Sequence, residues 1–532
     1  MRVKSKLFFC TTLDIQSLSN MQVSKINVVW FKRDLRLSDH GPLCAAIEAG
    51  LPTLLLFCLE PRLMNAPDAA SRHWRFAWQS AAYLKEELER NGHGLQVVHQ
   101  DALPVFEQLA QHHNIHTIFS HQETGNKASF DRDREMLSWC RDRNIQWAEF
   151  SQDGVLRGRK HRHGWAKRME RFLEGPLLHP DLKRLKPFRG YETLAAGWKG
   201  PSLPASILQD APDQQVGGAH NAQRYWQSFL EGRGANYGRH LSKPHLSRLS
   251  CSRLSPYLAW GNIGIREIWQ HCKKHETATT PMGRALRNLR ERLWWRGHYL
   301  QKLEAEWEME FDPINRGFKG LGRVLDERRY EAWKKGETGF PMVDASMRCL
   351  MHTGWLNFRM RAMLATFATF TLWLPYRPVA LYLAKLFLDY EPGIHYPQLQ
   401  MQAGLTGYHT LRIYNPVVQA AQHDPEGHFI HKWIPELRNI PAPQCHHPWK
   451  LTLMEQQFYQ FQAGEDYPAL IVDFDSVNAE HRERYWQLRN SEEVRKRLPA
   501  IWERHCLPEN IRQYQKGLLS DVNETGKSKE IH

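Results

Sequence analysis

The first 150 residues constrain the fold most, because short apolar runs alternate there with helical stretches. INVVWF at 26–31 is apolar almost throughout and rich in β-branched and aromatic side chains. A loop, KRDLRLSDHG, leads into a helix that stops at Gly50, and a second apolar run, LPTLLLFCLE, spans Leu51–Glu60. A polar-faced helix is expected over Ser71–Asn91. GLQVVHQ and HTIFSHQE read as further strands, with a helix near Leu103–Asn114 between them. Runs of this kind suit strands covered on both faces, and strands joined through helices run parallel. The expectation is an N-terminal doubly wound parallel α/β domain over 21–150. No Gly-x-Gly-x-x-Gly follows the first strand, which argues against a dinucleotide there.

From Asn221 the period changes. In RNLRERLWWRGHYLQKLEAEW, aromatic and apolar residues recur at i, i+3 and i+4, and such spacing predicts an all-helical domain over 220–505. Residues 151–219 carry many Pro, Gly and basic residues without a period and read as a connector. Residues 1–20 read as an extension, since the apolar patch Leu7–Cys10 is too short for a signal peptide. Residues 506–532 read as a polar tail ending in disorder. No run has the length of a membrane span. The chain is expected to be cytoplasmic, monomeric and free of membranes.

A net charge of +14 favours a polyanionic partner, because each Lys or Arg set against a phosphate releases condensed counterions. The nine cysteines are scattered without a Cys-x-x-Cys pair, which argues against structural zinc and a four-cysteine cluster. No metal site is expected, and the thiols should be free.

Several stretches could carry chemistry. Tyr237 precedes a basic loop, and CSRLSPYLAWGNIG then offers Ser252 and Ser255 at a helix start, suited to a phosphate or to plain capping. LRERLWWRGHYLQ presents Arg292, Trp295, Arg296 and Tyr299, suited to stacking on a base or to core packing with an exposed cation. TGWLNFRMRAML predicts a Gly-initiated helix with Trp355, Arg359 and either Ala362 or Met363 on one face. LDYEPGIHYPQLQMQ places Asp389, Glu391 and His395 within seven residues. Arg412, Gln419 and Lys432 follow, as a phosphate-facing rim or a solvated basic face.

Two of these blocks, residues 338–364 and 387–437, resemble the flavin-cradling segments of the photolyase/cryptochrome superfamily. WFKRDLRLSDHGPL is similar to the opening of that family's antenna domain. The resemblance implies non-covalent FAD held by Tyr237, Ser252, Leu254, Ser255, Arg296, Tyr299, Arg361, Asp389, Glu391 and His395. It pairs Arg361 with Asp389 and puts His395 before the flavin's reactive nitrogen. Trp295, Arg296 and His395 become the catalytic candidates. Arg292, Trp295, Trp355, Phe358, Arg412 and Gln419 become the DNA-facing set. Glu123 falls on a folate-contacting Glu, so an antenna chromophore, methenyltetrahydrofolate or a deazaflavin, is expected. The implied function is light-driven repair of pyrimidine dimers in DNA, with single strands favoured where flipping a base costs less. The alternatives are a cryptochrome-type photoreceptor and a DNA-binding flavoprotein without repair activity. Five positions depart from the repair enzymes, His395 among them in place of an Asn. Arg292 stands in place of a Glu, Phe358 of a polar residue, Ala362 of Met or His, and Leu399 of the tryptophan nearest the flavin.

Overall fold

The computed structural model describes residues 25–189 and 202–523, with side chains through residue 515. The expected N-terminal extension, part of the connector and the last nine residues lie outside these. Five parallel strands form one sheet: β1 (Lys25–Phe31), β2 (Thr53–Cys58), β3 (Leu95–Val98), β4 (Asn114–His121) and β5 (Gln146–Phe150). Their order is β3-β2-β1-β4-β5, with Val28 beside Leu54 on one flank and Ile118 on the other. The order reverses direction between β1 and β4, and an open sheet of this type has its ligand crevice beyond the carboxyl ends of such a pair. β1 is buried from Ile26 onward and β2 throughout, which explains their unbroken apolar sequence. β5, QWAEF, is half-exposed at the sheet edge. Its polar residues hid it from the periodicity argument.

One sheet face belongs to a core shared with the helical domain. Val29, Phe31 and Leu55 cluster there with Tyr257, Trp260, Trp269 and Leu293. A separate helical core is built on the helices Pro341–Thr353, Phe358–Thr366, Tyr376–Leu386 and Pro392–Gln402. The long helix Pro281–Ala305 packs along Pro392–Gln402. Its close fit depends on Gly393, where an added Cβ would come within 2.4 Å of Leu300.

The connector is more ordered than its composition suggests. Residues Trp165–Glu174 form a helix that buries Trp165, Met169 and Leu173. The expected polar tail likewise begins as the helix Pro508–Asn523, whose Ile511 and Tyr514 pack on the helical core. No helix among the described residues is long and apolar enough to cross a membrane.

The loop Lys32–His40 fastens the two domains together. Leu35 N–H donates to the Trp260 carbonyl at 3.2 Å, and Arg36 Nη1 to the Gly261 carbonyl at 3.1 Å. Gly261 has a φ of +63°, and a Cβ there would lie 2.2 Å from the Arg33 carbonyl. Any larger residue would wedge the domains apart.

Candidate functional site

The turn between the helices Tyr376–Leu386 and Pro392–Gln402 carries two acids, and Pro392 at the first helical position fixes where the second helix begins. Asp389 accepts two parallel hydrogen bonds from Arg361, at 3.0 and 2.8 Å. Arg361 Nε donates to the Leu356 carbonyl at 2.7 Å, and its guanidinium lies 4.2 Å from the Phe387 ring centroid. Glu391 accepts from both terminal nitrogens of Arg296, Nη2 at 2.6 Å, and Asp153 adds an oxygen at 3.3 Å. Burial opposes the Arg296 charge, but Glu391 and Asp153 outweigh it and hold the guanidinium protonated. Burial also raises the Glu391 carboxyl in spite of its cation. The two-pronged geometry identifies an ionised pair.

Arg253 belongs to the same constellation, although the sequence reading passed over it for its hydroxyl neighbours. It has a φ of +60°, lies 4.1 Å over the Trp355 ring and donates to Gln215 at 2.7 and 3.1 Å. Burial pushes its guanidinium down to about 10, and Asp389 is close enough to act on it favourably. Leu254 is the residue before the five-residue helix Ser255–Ala259, so neither serine caps it, and Ser252 Oγ meets Leu254 N–H only at 3.5 Å. Asp153, from the connector, had no motif to reveal it.

The expected DNA-facing set divides. Trp295 is 46% exposed and Phe358 49%, and Arg292 and Arg412 are also exposed. Trp355 is 5% exposed and covered by Arg253, and Gln419 is buried, so neither offers a face to a large partner. The helix geometry explains Trp355. Gly354, with φ +68°, terminates the helix Pro341–Thr353, and the next helix starts at Phe358 rather than at the glycine. Arg296 is likewise no free cation, because two carboxylates hold it. Arg292 hydrogen-bonds the buried Tyr237 phenol. Tyr299 is buried with its hydroxyl 3.9 Å from Met401 Sδ, and burial pushes it up to about 12. Leu399 and Ala362 are packed in the helical core.

His395 lies between Phe387, Tyr390 and Tyr396, with Nε2 2.8 Å from the Ala380 carbonyl. That contact requires Nε2–H. Burial pushes its pKa down to about 4, so the ring is neutral near pH 7 rather than poised to titrate there. His73 and His505 are also pushed to about 4 and His121 to about 3, burial again being the largest cause. Such groups bind protons more readily once the chain unfolds, so their stabilisation is complete above the ordinary value of 6.5 and is lost as pH falls toward 4. The melting temperature should therefore drop steeply across that window. His395→Gln, which can still donate to Ala380, should make the fall shallower by one proton's worth, and an unchanged slope would refute the assignment.

A concavity opens at the carboxyl ends of β1 and β2. Its walls include Asp68, His73, Glu123, Arg132, Trp260 and Tyr390. Glu123 is fixed by Arg33 at 3.3 Å and by Arg132 at 2.6 Å. Asp68 accepts from Tyr390 at 2.5 Å, Tyr396 at 2.8 Å and Asn126 at 2.9 Å. Nearby, Asp34, His40 and His121 form a buried trio, with Asp34 Oδ2 2.7 Å from His121 Nδ1 and 3.1 Å from His40 Nε2. His40 Nδ1 accepts from Leu43 N–H, so its Nε2 carries the proton and has no lone pair for a metal. The trio is held by the Asp34–His121 hydrogen bond and the close His40–Asp34 contact.

Beside the ion pairs, Arg296 Nε and Asn357 Oδ1 are buried without a protein partner, one a donor and the other an acceptor. A flavin, whose ring edge and side chain carry both kinds of group, fits this donor set. Residues 289–487 match the family described as the FAD binding domain of DNA photolyase, and residues 27–165 match the DNA photolyase family. A deoxyribodipyrimidine photo-lyase of Alkalihalophilus pseudofirmus is 29% identical, across 84% of this chain and 95% of that protein. Cryptochrome-2 of Arabidopsis thaliana is 26% identical, across 86% and 78%. The Synechocystis sp. PCC6803 cryptochrome structure superposes with a TM-score of 0.77 at 25% identity, covering 87% of this chain and 99% of its own. A bacterial class III photolyase from Agrobacterium tumefaciens gives 0.75 at 23% identity, covering 89% and 100%.

Proposed function

Because this chain belongs to the photolyase and cryptochrome superfamily and carries its FAD-binding domain, we propose that it repairs pyrimidine dimers in DNA under blue light. When bound, reduced FAD supplies the light absorption and the electron that splits the dimer. The protein's part is to hold and to present. Arg361–Asp389 and Arg296–Glu391 form a rigid polar cradle for the flavin. The observation that carries the repair reading is the pair of half-exposed aromatics that neighbour these ion pairs along the helices. Trp295 immediately precedes Arg296, and Phe358 stands one helical turn before Arg361. An exposed indole offers a stacking surface of about 1–3 kcal/mol per base. Arg292 and Arg412 supply positive charge at the surface for phosphates.

Arg292 and Phe358 favour a second reading, a photoreceptor, because neither can accept hydrogen bonds from a lesion. For the cleft we propose a second, light-gathering chromophore. Trp74, Trp260, His73 and Tyr390 give it aromatic walls, and its cations Arg33 and Arg132 are already matched to Glu123, which supports an uncharged planar ring over a phosphate-bearing one.

One preparation tests both proposals. Reduced protein, illuminated with blue light, should split cyclobutane dimers in single-stranded oligonucleotides and act more weakly on duplex. Binding should weaken steeply with salt, and Arg412→Ala should lower the log–log slope by about 0.7–0.9. Incubation with methenyltetrahydrofolate or a deazaflavin should leave a second chromophore bound. Absence of repair of any pyrimidine photoproduct, in either DNA form, would overturn the enzyme reading in favour of photoreception. A flavin-only spectrum after both incubations would remove the second chromophore.

A further inference from the structure

Most buried cations of this protein have acceptors to match. Arg132 meets Glu60, Glu123 and Asp133, and Lys32 meets Asp133 and Glu149. Arg36 uses all three guanidinium nitrogens on the carbonyls of Ser38, Asp39 and Gly261. Arg162 and Lys302 break this pattern together. Arg162 is 1% exposed, lies 4.8 Å from the Trp165 ring centroid and donates from Nη2 to the His298 carbonyl at 2.7 Å, while its Nε and Nη1 find no hydrogen-bond partner. Lys302 is 3% exposed, and Nζ, with three hydrogens to donate, meets the Tyr408 hydroxyl at 3.0 Å and no acid.

The Arg162 charge acts on Lys302, and the histidines around it are neutral and supply no negative charge. His298, His409 and His505 all feel the Lys302 charge. Glu306 is already occupied by His505 Nε2 at 2.7 Å and by Arg504 at 3.1 Å. Among the described residues no carboxylate pairs with Arg162 or Lys302. Arg162 grips the carbonyl one helical turn before Lys302, and burying a guanidinium and an ammonium this near each other without an anion is unfavourable. The four contributing segments are the turn before the helix Trp165–Glu174, the helix Pro281–Ala305, the loop at Tyr408, and Cys506 just after the helix Leu498–His505.

We propose that Arg162 and Lys302 together hold a small inorganic anion, of chloride to phosphate size, at this buried junction. The unpartnered Nε and Nη1 of Arg162 and the remaining hydrogens of Lys302 are its donors. Without an anion, burial, with the Arg162 charge adding to it, pushes Lys302 down to about 7, and burial pushes Arg162 to about 9. Occupancy would restore both charges and tie the connector to the helical domain. It would also set the field under Tyr299 and Trp295, since Lys302 Nζ lies 5.5 Å from the Tyr299 ring and His298 5.4 Å from Trp295.

The test uses the full flavin-loaded chain. Its melting temperature is titrated near neutral pH with chloride or with phosphate, against glutamate salts at equal ionic strength. Wild type should show a saturable rise with at least one of the two, the better anion distinguishing a monatomic from a tetrahedral occupant. Lys302→Met and Arg162→Met should each abolish it. Crystals of wild type soaked in bromide, or in selenate where phosphate is the better anion, should show an anomalous peak within hydrogen-bond reach of both side chains, a measurement that stands even if the variants fail to fold. Such a peak without saturable stabilisation means an adventitious ion only and overturns the proposal. So does the absence of both signals, which would mean that Lys302 is simply discharged by burial.

Discussion

Glu391→Ala should destabilise the protein by about 3–5 kcal/mol, read as a shift in the urea midpoint at unchanged slope. The mutation leaves the Arg296 guanidinium buried, with Nε unpartnered and Asp153 at 3.3 Å as its one remaining acid. Asp153 should keep the effect toward the lower end. Arg296→Met combined with Glu391→Met should recover much of the loss, because an apolar pair removes both desolvated charges. A loss under about 1 kcal/mol in the single variant would show that water reaches the pair. It would remove the rigid-cradle argument.

Asp389→Ala should cost flavin rather than stability. Its partner Arg361 is 26% exposed at the side chain, so the freed cation can turn toward water, whereas Asp389 itself is 4% exposed. The expected outcome is a folded protein that retains little FAD, with affinity lower by about tenfold or more, or about 1.4 kcal/mol. The measurement is FAD released per chain on denaturation, together with the melting temperature. Full flavin occupancy in this variant would place the cofactor elsewhere. Wild type that neither carries nor takes up FAD would end the flavin reading altogether.

The strands were legible wherever burial on both faces forced an unbroken apolar run, as in β1 and β2, and illegible at β5, where one edge is wet. The Arg361–Asp389 pair was legible through the family resemblance of its two blocks. Arg253 and Asp153 were not, because a backbone at positive φ and a contact from the connector leave no local pattern. Trp355 and Gln419 illustrate the complementary error. Both sit in convincing motifs, and three-dimensional packing covers them. Exposure is a property of what lies overhead, and the amino-acid order near a residue does not encode it.

Asp68 belongs to the sheet domain, while the two phenols it binds, Tyr390 and Tyr396, belong to the helical domain. Arg72 and His73, a few residues on, donate or bond to the carbonyls of Leu386 and Phe387 from the same side. The turn bearing Asp389 and Glu391 is therefore held from both sides of the domain boundary. Occupation of the sheet-side cleft, which Asp68 and Tyr390 both line, would restrict the motion of that turn and so reduce the entropy that cofactor uptake must still remove. The two binding events should reinforce each other through ordering alone, with no change of shape, and the order in which the ligands are added should leave the final complex the same.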